Sequence, residues 1–296
     1  MLHPITFSIP ECKIVRSVPN KTKIISNLIP GNISTYIYQT EEDYYKEYQS
    51  SLFALTTKKA GWDCMRHYEI IANGCIPYFP NIEKCPINTM ALLPKDLILQ
   101  GNTLYATYKD KNITDLKKED LDICFDLIKK LLEFIKNNLT TANIASYILN
   151  KSNHKTSVKI LFLSGQTSPD YLRCLTLHGF KVLLGDRCHD FPKVPHIYKS
   201  DQLQYNKLYG KGITYTNNLD QSLHDISRDH TIENDIRNKY YDIIVYGSYH
   251  RGMPYYGVVS QIYDPSEIIL LCGEDLHACN NDIFVKKGHT VFVREL

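Results

Sequence analysis

Short apolar runs alternate with amphipathic stretches along most of this chain. Leu52–Thr57 and Val158–Leu163 are mainly apolar, which is typical of buried strands in a parallel sheet. A turn and a helical pattern follow each run, at Trp62–Asn73 and at Asp170–His178. Repetition of strand and helix in this order predicts an α/β fold with parallel sheets and right-handed crossovers.

The same pattern predicts most of the remaining elements. Gly74 and Gly179 are expected to end the helices that precede them. Further strands are predicted at Lys23–Leu28, Thr35–Tyr38, Cys75–Phe79, Lys181–Leu184, Asp242–Tyr246 and Glu267–Leu271. Further helices are predicted at Glu41–Gln49, Glu119–Asn137 and Met253–Tyr263.

A polar segment, Asn150–Ser157, separates the long helical pattern of the first half from the apolar run that opens the second. A chain of 296 residues exceeds the usual size of one domain. We therefore predict two Rossmann-like domains, residues 1–150 and 151–296, that face each other across a central cleft.

Composition narrows the class of protein. Lysine and arginine total 34 against 32 acidic residues, and without a basic block nucleic acid is an unlikely partner. The nine cysteines form no CxxC pair, which favours reduced thiols over a disulfide framework. No apolar run reaches the roughly 18 residues of a membrane helix, and Met1–Pro10 is too polar for a signal peptide. The prediction is a cytoplasmic protein without membrane insertion.

The first candidate site follows the strand predicted at Leu52–Thr57. Thr57, Lys58, Lys59, Gly61 and Trp62 lead from this strand into a helix. Ligands of parallel α/β sheets bind at this edge, and helix-start N–H groups together with lysine charge can hold a diphosphate.

Two residues of that helix extend the same candidate site. Arg66 and Glu69 are three positions apart and therefore share one helix face. Arg66 could bind phosphate oxygens and Glu69 could accept from the two ribose hydroxyls. The alternative is a solvent-exposed Arg–Glu pair on a helix that Asp63 caps.

A second candidate loop, Ser164–Pro169, follows the strand at Val158–Leu163. Gly165 would allow a ligand to approach the backbone closely, with Gln166 beside it, although an ordinary turn explains the loop equally well. The loop lacks the GxGxxG pattern, which disfavours a nicotinamide cofactor, and no cofactor is expected.

Two polar loops of the second half should meet at the same sheet edge. Ser248, His250 and Arg251 follow one predicted strand, and Glu274 and Asp275 follow the next. Arg251 is a candidate phosphate or acceptor contact, while carboxylate and imidazole groups suit a general base. His250, with His277 and Cys279, would alternatively suggest a metal site, but the set is too loose for us to expect one.

The sequence from Lys58 resembles the donor-domain signature of exostosin-like glycosyltransferases. The matching run is KKAGWDCMRHYEIIANGCIPYFPNIEKCP, and the resemblance is specific over Glu41–Pro94. It implies a GT-B-type fold that holds a nucleoside-diphosphate sugar without an essential metal. It also implies that Arg66 faces the diphosphate and that Glu69 faces the ribose.

This chain differs from the proteins it resembles in domain order. In their usual order the acceptor domain precedes the donor domain, whereas the donor-like half comes first here. The ending TVFVREL and the opening LHPITFSIP look like neighbouring pieces of one continuous chain. This order suggests a circular permutation, which predicts that the two termini lie within about a domain diameter, ~30 Å, of each other.

Residues and resemblance together predict a metal-independent hexosyl- or pentosyltransferase. It would move a sugar from a UDP- or GDP-sugar to a hydroxyl of a glycan acceptor, with Asp275 or Glu274 as the base if the configuration inverts. Lys58, Lys59 and Arg66 would stabilise the departing diphosphate. The alternatives are a catalytically silent nucleotide- or glycan-binding module and a transferase that acts on modified DNA bases.

Overall fold

A computed structural model describes residues 1–275 and 281–296 and contains two parallel sheets. This arrangement confirms the predicted α/β class. The strands are β1 (Leu2–Pro4), β2 (Lys23–Ile25), β3 (Ser51–Leu55), β4 (Ile76–Tyr78), β5 (Ile160–Leu163), β6 (Cys188–Phe191), β7 (Ile243–Tyr246), β8 (Ile268–Cys272) and β9 (Thr290–Val293). The helices are α1 (Glu41–Gln49), α2 (Met65–Ala72), α3 (Lys95–Tyr108), α4 (Lys118–Asn138), α5 (Thr141–Lys151), α6 (Tyr171–Leu184), α7 (Ile232–Arg237), α8 (Tyr256–Ile262) and α9 (Asn281–Lys286).

The larger sheet has six parallel strands in the order β1-β9-β8-β7-β5-β6. Strand β5, next to the edge strand β6, pairs with β6 on one side and with β7 on the other, so that Phe162 lies between Asp190 and Val245. The chain leaves β5 in one direction, forms β6, and then returns across β5 to form β7. This reversal creates a topological switch point between β5 and β7, the place where open α/β sheets bind ligands.

The first strand of the chain belongs to the sheet of the second half. Strand β1 pairs with β9, with Leu2 beside Val291, and the N-terminal amino group donates to the His289 carbonyl at 2.7 Å. The predicted proximity of the two termini is therefore confirmed. Because β1 and β9 run parallel, a direct link from residue 296 to residue 2 would need a crossover of about a dozen residues. The permutation itself stays a prediction.

The smaller sheet, in the order β2-β3-β4, lies entirely within residues 1–150. Helix α1 begins after Thr40, whose hydroxyl accepts from the Asp43 N–H at 3.1 Å, and it has its predicted bounds. The predicted strand at Thr35–Tyr38 is wrong, because Ile33–Thr35 forms a 3₁₀ turn that Asn32 caps. The remaining residues of this segment stay outside both sheets.

Helix α6 is longer than predicted because of how it packs. Gly179 lies inside the helix rather than at its end, and Lys181–Leu184 is helical rather than a strand. A Cβ atom at Gly179 would lie 2.0 Å from the Thr141 carbonyl oxygen, so the glycine allows α5 and α6 to approach closely. A tertiary contact therefore requires this glycine, and the helix continues through it.

One core joins the two sheets. Phe7 packs its ring against Tyr68 of α2 at 6.3 Å and against Tyr171 of α6 at 5.9 Å, and the same buried cluster extends to Phe53 and Phe162. The connection between β6 and β7, for which the sequence yields no elements, forms short 3₁₀ turns and α7. Among the described residues, no helix has both the length and the apolar character needed to cross a bilayer.

Candidate functional site

Two loops meet at the switch point between β5 and β7. A Cβ atom at Gly165 would lie 2.2 Å from the Arg251 carbonyl oxygen and 2.7 Å from the Cα atom of Gly252. The Gln166 N–H donates to the same Arg251 carbonyl at 3.0 Å. Gly165 therefore serves the contact between the two loops, and the Gln166 side chain is exposed.

Asp170 links these loops to helix α6. Its carboxylate caps the helix by accepting from the Arg173 N–H at 3.0 Å and also accepts from the Ser248 hydroxyl at 2.6 Å. The Arg251 guanidinium lies 3.3 Å from the same carboxylate and donates to the Ser168 hydroxyl at 2.9 Å. Ser248 and Arg251, both predicted site residues, are therefore held at the switch point by an aspartate that sequence reasoning missed.

Buried arginine charge supports the loop after β5 from beneath. The guanidinium of Arg173, which is fully buried, donates to the carbonyls of Gln166 and Ser168. These carbonyls turn toward the protein interior. The loop therefore presents few acceptors to a ligand, although the buried Ser164 hydroxyl has no hydrogen-bond partner within the described part of the chain.

The loop after β8 carries the two carboxylates predicted as bases. Glu274 approaches His250 Nε2 at 2.7 Å, within ion-pair distance but outside hydrogen-bond geometry. Asp275 is exposed and pairs with Arg294, whose guanidinium also donates to the Gly273 carbonyl at 3.0 and 3.1 Å. The structure therefore brings His250 and Glu274 together. His277 and Cys279, weighed as metal ligands, lie outside the described residues.

The start of α2 differs from its prediction. The helix begins at Met65 rather than at Trp62, and the Glu295 carboxylate accepts from the N–H groups of Trp62 at 3.0 Å and Asp63 at 2.9 Å. A Cβ atom at Gly61 would lie 2.4 Å from a Glu295 carboxylate oxygen. The N–H groups of Trp62 and Asp63, at the helix start predicted to hold a diphosphate, therefore already bind the carboxylate of Glu295, two residues after β9.

The same contact joins the two halves of the predicted site. The position of a Cβ atom at Gly61 is 3.2 Å from the Asp275 carbonyl oxygen. Arg294 donates to the Asp63 carbonyl as well as to Asp275, and it lies 2.9 Å from Glu295. The loop predicted to bind the donor and the loop predicted to carry the base are therefore in contact.

Asp63 is a buried carboxyl and does not cap α2. It accepts from the Phe7 N–H and from the Tyr68 hydroxyl, each at 2.9 Å. Burial raises the pKa of Asp63 to about 6, while the nearby Arg294 charge opposes the shift. The Asp63 carboxyl therefore has a structural role, joining the segment at Phe7 to helix α2.

Arg66 and Glu69 are both buried, so the alternative of a solvent-exposed pair is wrong. Every residue of α2 is buried, and Arg66 is 7% exposed. Glu69 accepts from the Thr214 hydroxyl at 2.5 Å and from the Tyr44 hydroxyl at 2.8 Å. The carboxylate predicted to hold a ribose therefore already binds two hydroxyl groups, one of them from the second half of the chain.

Arg66 lacks full hydrogen bonding. Its Nη1 atom is buried without a partner in the described part of the chain, and the same holds for the Tyr36 hydroxyl. Burial acts against the charge of Arg66, and the side chains of Tyr36, Tyr44 and Tyr48 lie close enough to interact with it. The Glu69 carboxylate also interacts with this charge but already accepts from two hydroxyls, so a bound anion would complete the buried guanidinium.

A pocket of about 320 Å³ lies beside the predicted donor loop. The Lys58 ammonium lies 5.1 Å from the centre of the Trp62 ring, and Lys59 is exposed with its N–H bonded to the Gly61 carbonyl. The volume is at the lower end of the range for ligand sites. The pocket is lined by Thr57, Lys58, Trp62, Phe79, Pro80, Asn81 and Lys84.

His67 positions the loop that forms one wall of this pocket. Its two ring nitrogens lie 2.8 Å from the Thr56 hydroxyl and 2.8 Å from the Trp62 carbonyl oxygen. Sequence reasoning missed this residue, as it missed Asp170, Arg294 and Glu295. For the last two a signal was present, since a polar pair directly follows the apolar run at Thr290–Val293.

Two larger grooves lie elsewhere. Their volumes are about 1160 and 1120 Å³, and they run along α4 and α5 without including any of the predicted site residues.

Comparisons of the chain with protein families, with curated proteins and with solved structures return no match.

Proposed function

We propose that this chain is a glycosyltransferase that moves a sugar from a nucleoside-diphosphate sugar to a hydroxyl of a glycan acceptor. The observation that carries the proposal is the buried Arg66 guanidinium, whose Nη1 lacks a partner within the described residues. Arg66 is the second residue of α2, the helix that follows the carboxyl end of β3, and this is the edge at which parallel sheets bind anions. A diphosphate there would supply the missing acceptors.

The position of Asp275 supports transfer as the reaction. This exposed carboxylate belongs to the loop that touches the donor-side loop at Gly61, and Glu274 follows the same strand. A carboxylate near the anomeric carbon can remove the acceptor proton, while Lys58, Lys59 and Arg66 stabilise the charge of the departing diphosphate. In this GT-B-type proposal, the smaller sheet holds the donor and the larger sheet faces the acceptor.

Donor binding requires one rearrangement at Glu69. The Thr214 and Tyr44 hydroxyls occupy the two carboxylate oxygens, as two ribose hydroxyls would. When the segment around Thr214 moves, a ribose hydroxyl replaces the Thr214 hydroxyl at Glu69. The number of hydrogen bonds to this carboxylate is then conserved. The donor affinity that is measured contains the free energy of this displacement.

A panel of nucleotide sugars and free nucleoside diphosphates tests the proposal by thermal shift and calorimetry. Arg66→Met should weaken binding roughly 10- to 150-fold, which corresponds to losing a charged hydrogen bond worth about 1.5–3 kcal/mol. The same variant should keep or gain stability without ligand, because it removes a buried charge. Arg237→Met, which replaces an exposed arginine of α7, is the matched control.

Two results would overturn the proposal. One is the failure of every nucleotide in the panel to raise the melting temperature of the wild-type protein. The other is unchanged nucleotide affinity in Arg66→Met.

A second candidate, a nucleotide- or glycan-binding module without turnover, is favoured by the occupied amides of Trp62 and Asp63. It predicts ligand binding with no transfer and no donor hydrolysis in the wild-type protein.

A further inference from the structure

Three side chains that the proposed function does not use converge beside the edge strand β6. His189 lies in β6, His224 follows the 3₁₀ turn Gln221–Leu223, and Asp229 lies in the 3₁₀ turn Ile226–His230. His189 Nε2 is 3.0 Å from one oxygen of Asp229, and His224 Nε2 is 3.1 Å from the other. All three potential ligand atoms lie within 4.8 Å of one another. We call these residues the His189–His224–Asp229 cluster.

The hydrogen bonds around His224 leave its Nε2 atom facing another acceptor. His224 Nδ1 lies 3.1 Å from Asp190, a buried carboxylate that can only accept, so this nitrogen carries the ring proton. Tyr198 donates to the same Asp190 oxygen at 2.6 Å, and Lys181 lies 2.9 Å from it. In the neutral ring, the lone pair of Nε2 then points toward the carboxylate of Asp229. Only a cation between the two, a proton or a metal ion, makes this contact attractive.

The distances suit a metal ion of the zinc type. A tetrahedral Zn²⁺ site with bonds of about 2.0–2.1 Å places neighbouring ligand atoms about 3.3 Å apart. The two nitrogen-to-oxygen distances in the cluster, 3.0 and 3.1 Å, are close to this value. The imidazole rings are stacked, with centroids 5.1 Å apart. The ligand atoms of the two histidines are at most 4.8 Å apart, so an ion bound by all three residues would bring the rings closer together.

The surroundings supply what a bound metal requires. Asp190 orients His224 in the manner of the carboxylate–histidine pairs that support metal ligands. His189 is 3% exposed, whereas the Asp229 side chain is 22% exposed, so solvent reaches the cluster from the Asp229 side. A water molecule from that side can provide the fourth ligand. Imidazole and carboxylate ligands are a set that Zn²⁺ accepts.

We propose that the His189–His224–Asp229 cluster is a Zn²⁺ site with three protein ligands and a fourth position open to water. It would fasten the long connection between β6 and β7, which has few regular elements, onto the edge strand of the larger sheet. Strand β6 is three strands from β8, which corresponds to about 14 Å across the sheet. The metal would therefore stabilise the fold without taking part in the proposed transfer, and the inference does not rest on that function.

Zinc titration of chelator-treated protein tests the proposal, with metal content and melting temperature as readouts. We expect one Zn²⁺ per chain and a melting temperature that rises with zinc concentration. His224→Gln and Asp229→Asn should each lower the affinity at least ~100-fold. Asp190→Asn, which alters the group that orients His224 and also pairs with Lys181, should lower it about 10- to 100-fold. His154→Gln replaces a partly exposed histidine outside the cluster and should bind zinc as the wild type does.

Cobalt provides a readout that does not depend on the folding of variants. Co²⁺ bound to the wild-type protein should show the intense visible absorption of a four-coordinate site without a sulfur-to-cobalt charge-transfer band. A charge-transfer band would assign the metal to cysteines and overturn the proposal. Absence of zinc binding to the wild-type protein would also overturn it, since protonated His224 would then be the cation between ring and carboxylate. So would full zinc affinity in both His224→Gln and Asp229→Asn.

Discussion

Protonation of His67 should destabilise this protein strongly below neutral pH. The ring is fully buried, and the Trp62 carbonyl at 2.8 Å can only accept, so Nε2 carries the proton. Nδ1 then accepts from the Thr56 hydroxyl at 2.8 Å. The ring also packs against Phe79, with centroids 4.7 Å apart. The neutral imidazole is therefore fully satisfied, and a second proton has no prepared partner.

Burial is the main cause that lowers the pKa of His67 from 6.5 to about 3. The unfolded chain takes up the proton near pH 6.5, so stability is lost as the pH falls from that value toward 3. Each pH unit costs about 1.4 kcal/mol, which amounts to about 2 kcal/mol at pH 5. His178 and His196, with pKa values lowered to about 4, add similar losses.

Two buried carboxyls act in the opposite direction, since burial raises the pKa of Glu69 as well as that of Asp63. Because the pKa of Asp63 is raised to about 6, its protonation stabilises the folded state as the pH falls from 6 toward 3.8. At pH 5 this gain is about 1.4 kcal/mol, against about 6 kcal/mol lost through the three histidines. For His67, His178, His196 and Asp63 taken together, the loss is about 4–5 kcal/mol, a large fraction of a typical domain's stability.

Urea unfolding at pH 7.5 and pH 5.0 measures this effect. The variant His67→Gln removes the titrating group, so its loss of stability between the two pH values should be about 2 kcal/mol smaller than that of the wild type. Any constant cost of the substitution cancels in this difference. His154→Gln, at a partly exposed position, should match the wild type. Equal pH-dependent losses in His67→Gln and the wild type would refute the reasoning.

Three further expectations concern the candidate site. Gly61→Ala should lower the free energy of unfolding in urea by about 1–3 kcal/mol, because the new methyl group displaces Glu295 from two backbone donors. The control is Gly257→Ala in α8, whose new methyl group meets no atom within 4 Å and should not lower this free energy. A large loss of unfolding free energy in Gly257→Ala, without one in Gly61→Ala, would contradict this expectation. Asp275→Asn should lower the rate of sugar transfer by about 10²–10⁴ while leaving nucleotide affinity unchanged, and unchanged turnover would exclude this residue as the base. Brief exposure to EDTA should leave turnover intact, whereas complete loss restored by manganese would reverse the expectation of metal-independent transfer.

Local pattern was sufficient for most elements of the fold. Helix α1 has its predicted bounds, and α4 differs from its prediction by one residue at each end, because apolar periodicity and end signals lie within the segment itself. Strands β5, β7 and β8 were equally visible as apolar runs between turns. Strand β6 was missed because its sequence, CHDF, contains two polar residues that distant side chains satisfy.

Two errors in the sequence-based elements, at Gly179 and at Trp62, share one cause. Gly179 has the local properties of a helix end, yet its contact with α5 keeps it within α6. Trp62 and Asp63 have the sequence of a helix start, yet Glu295 takes their N–H groups and the helix begins at Met65. In each case a partner far along the chain decided between two local structures of similar free energy.

The sequence by itself determined most of the strands and helices and which polar residues follow their ends, because those properties depend largely on near neighbours. Only the tertiary structure decided which of those polar groups are already paired. Glu69 meets Thr214 across 145 positions, and Glu295 meets Trp62 across 233. The buried, incompletely bonded state of Arg66 is likewise a property of packing, since no local pattern specifies what surrounds a side chain once distant segments cover it.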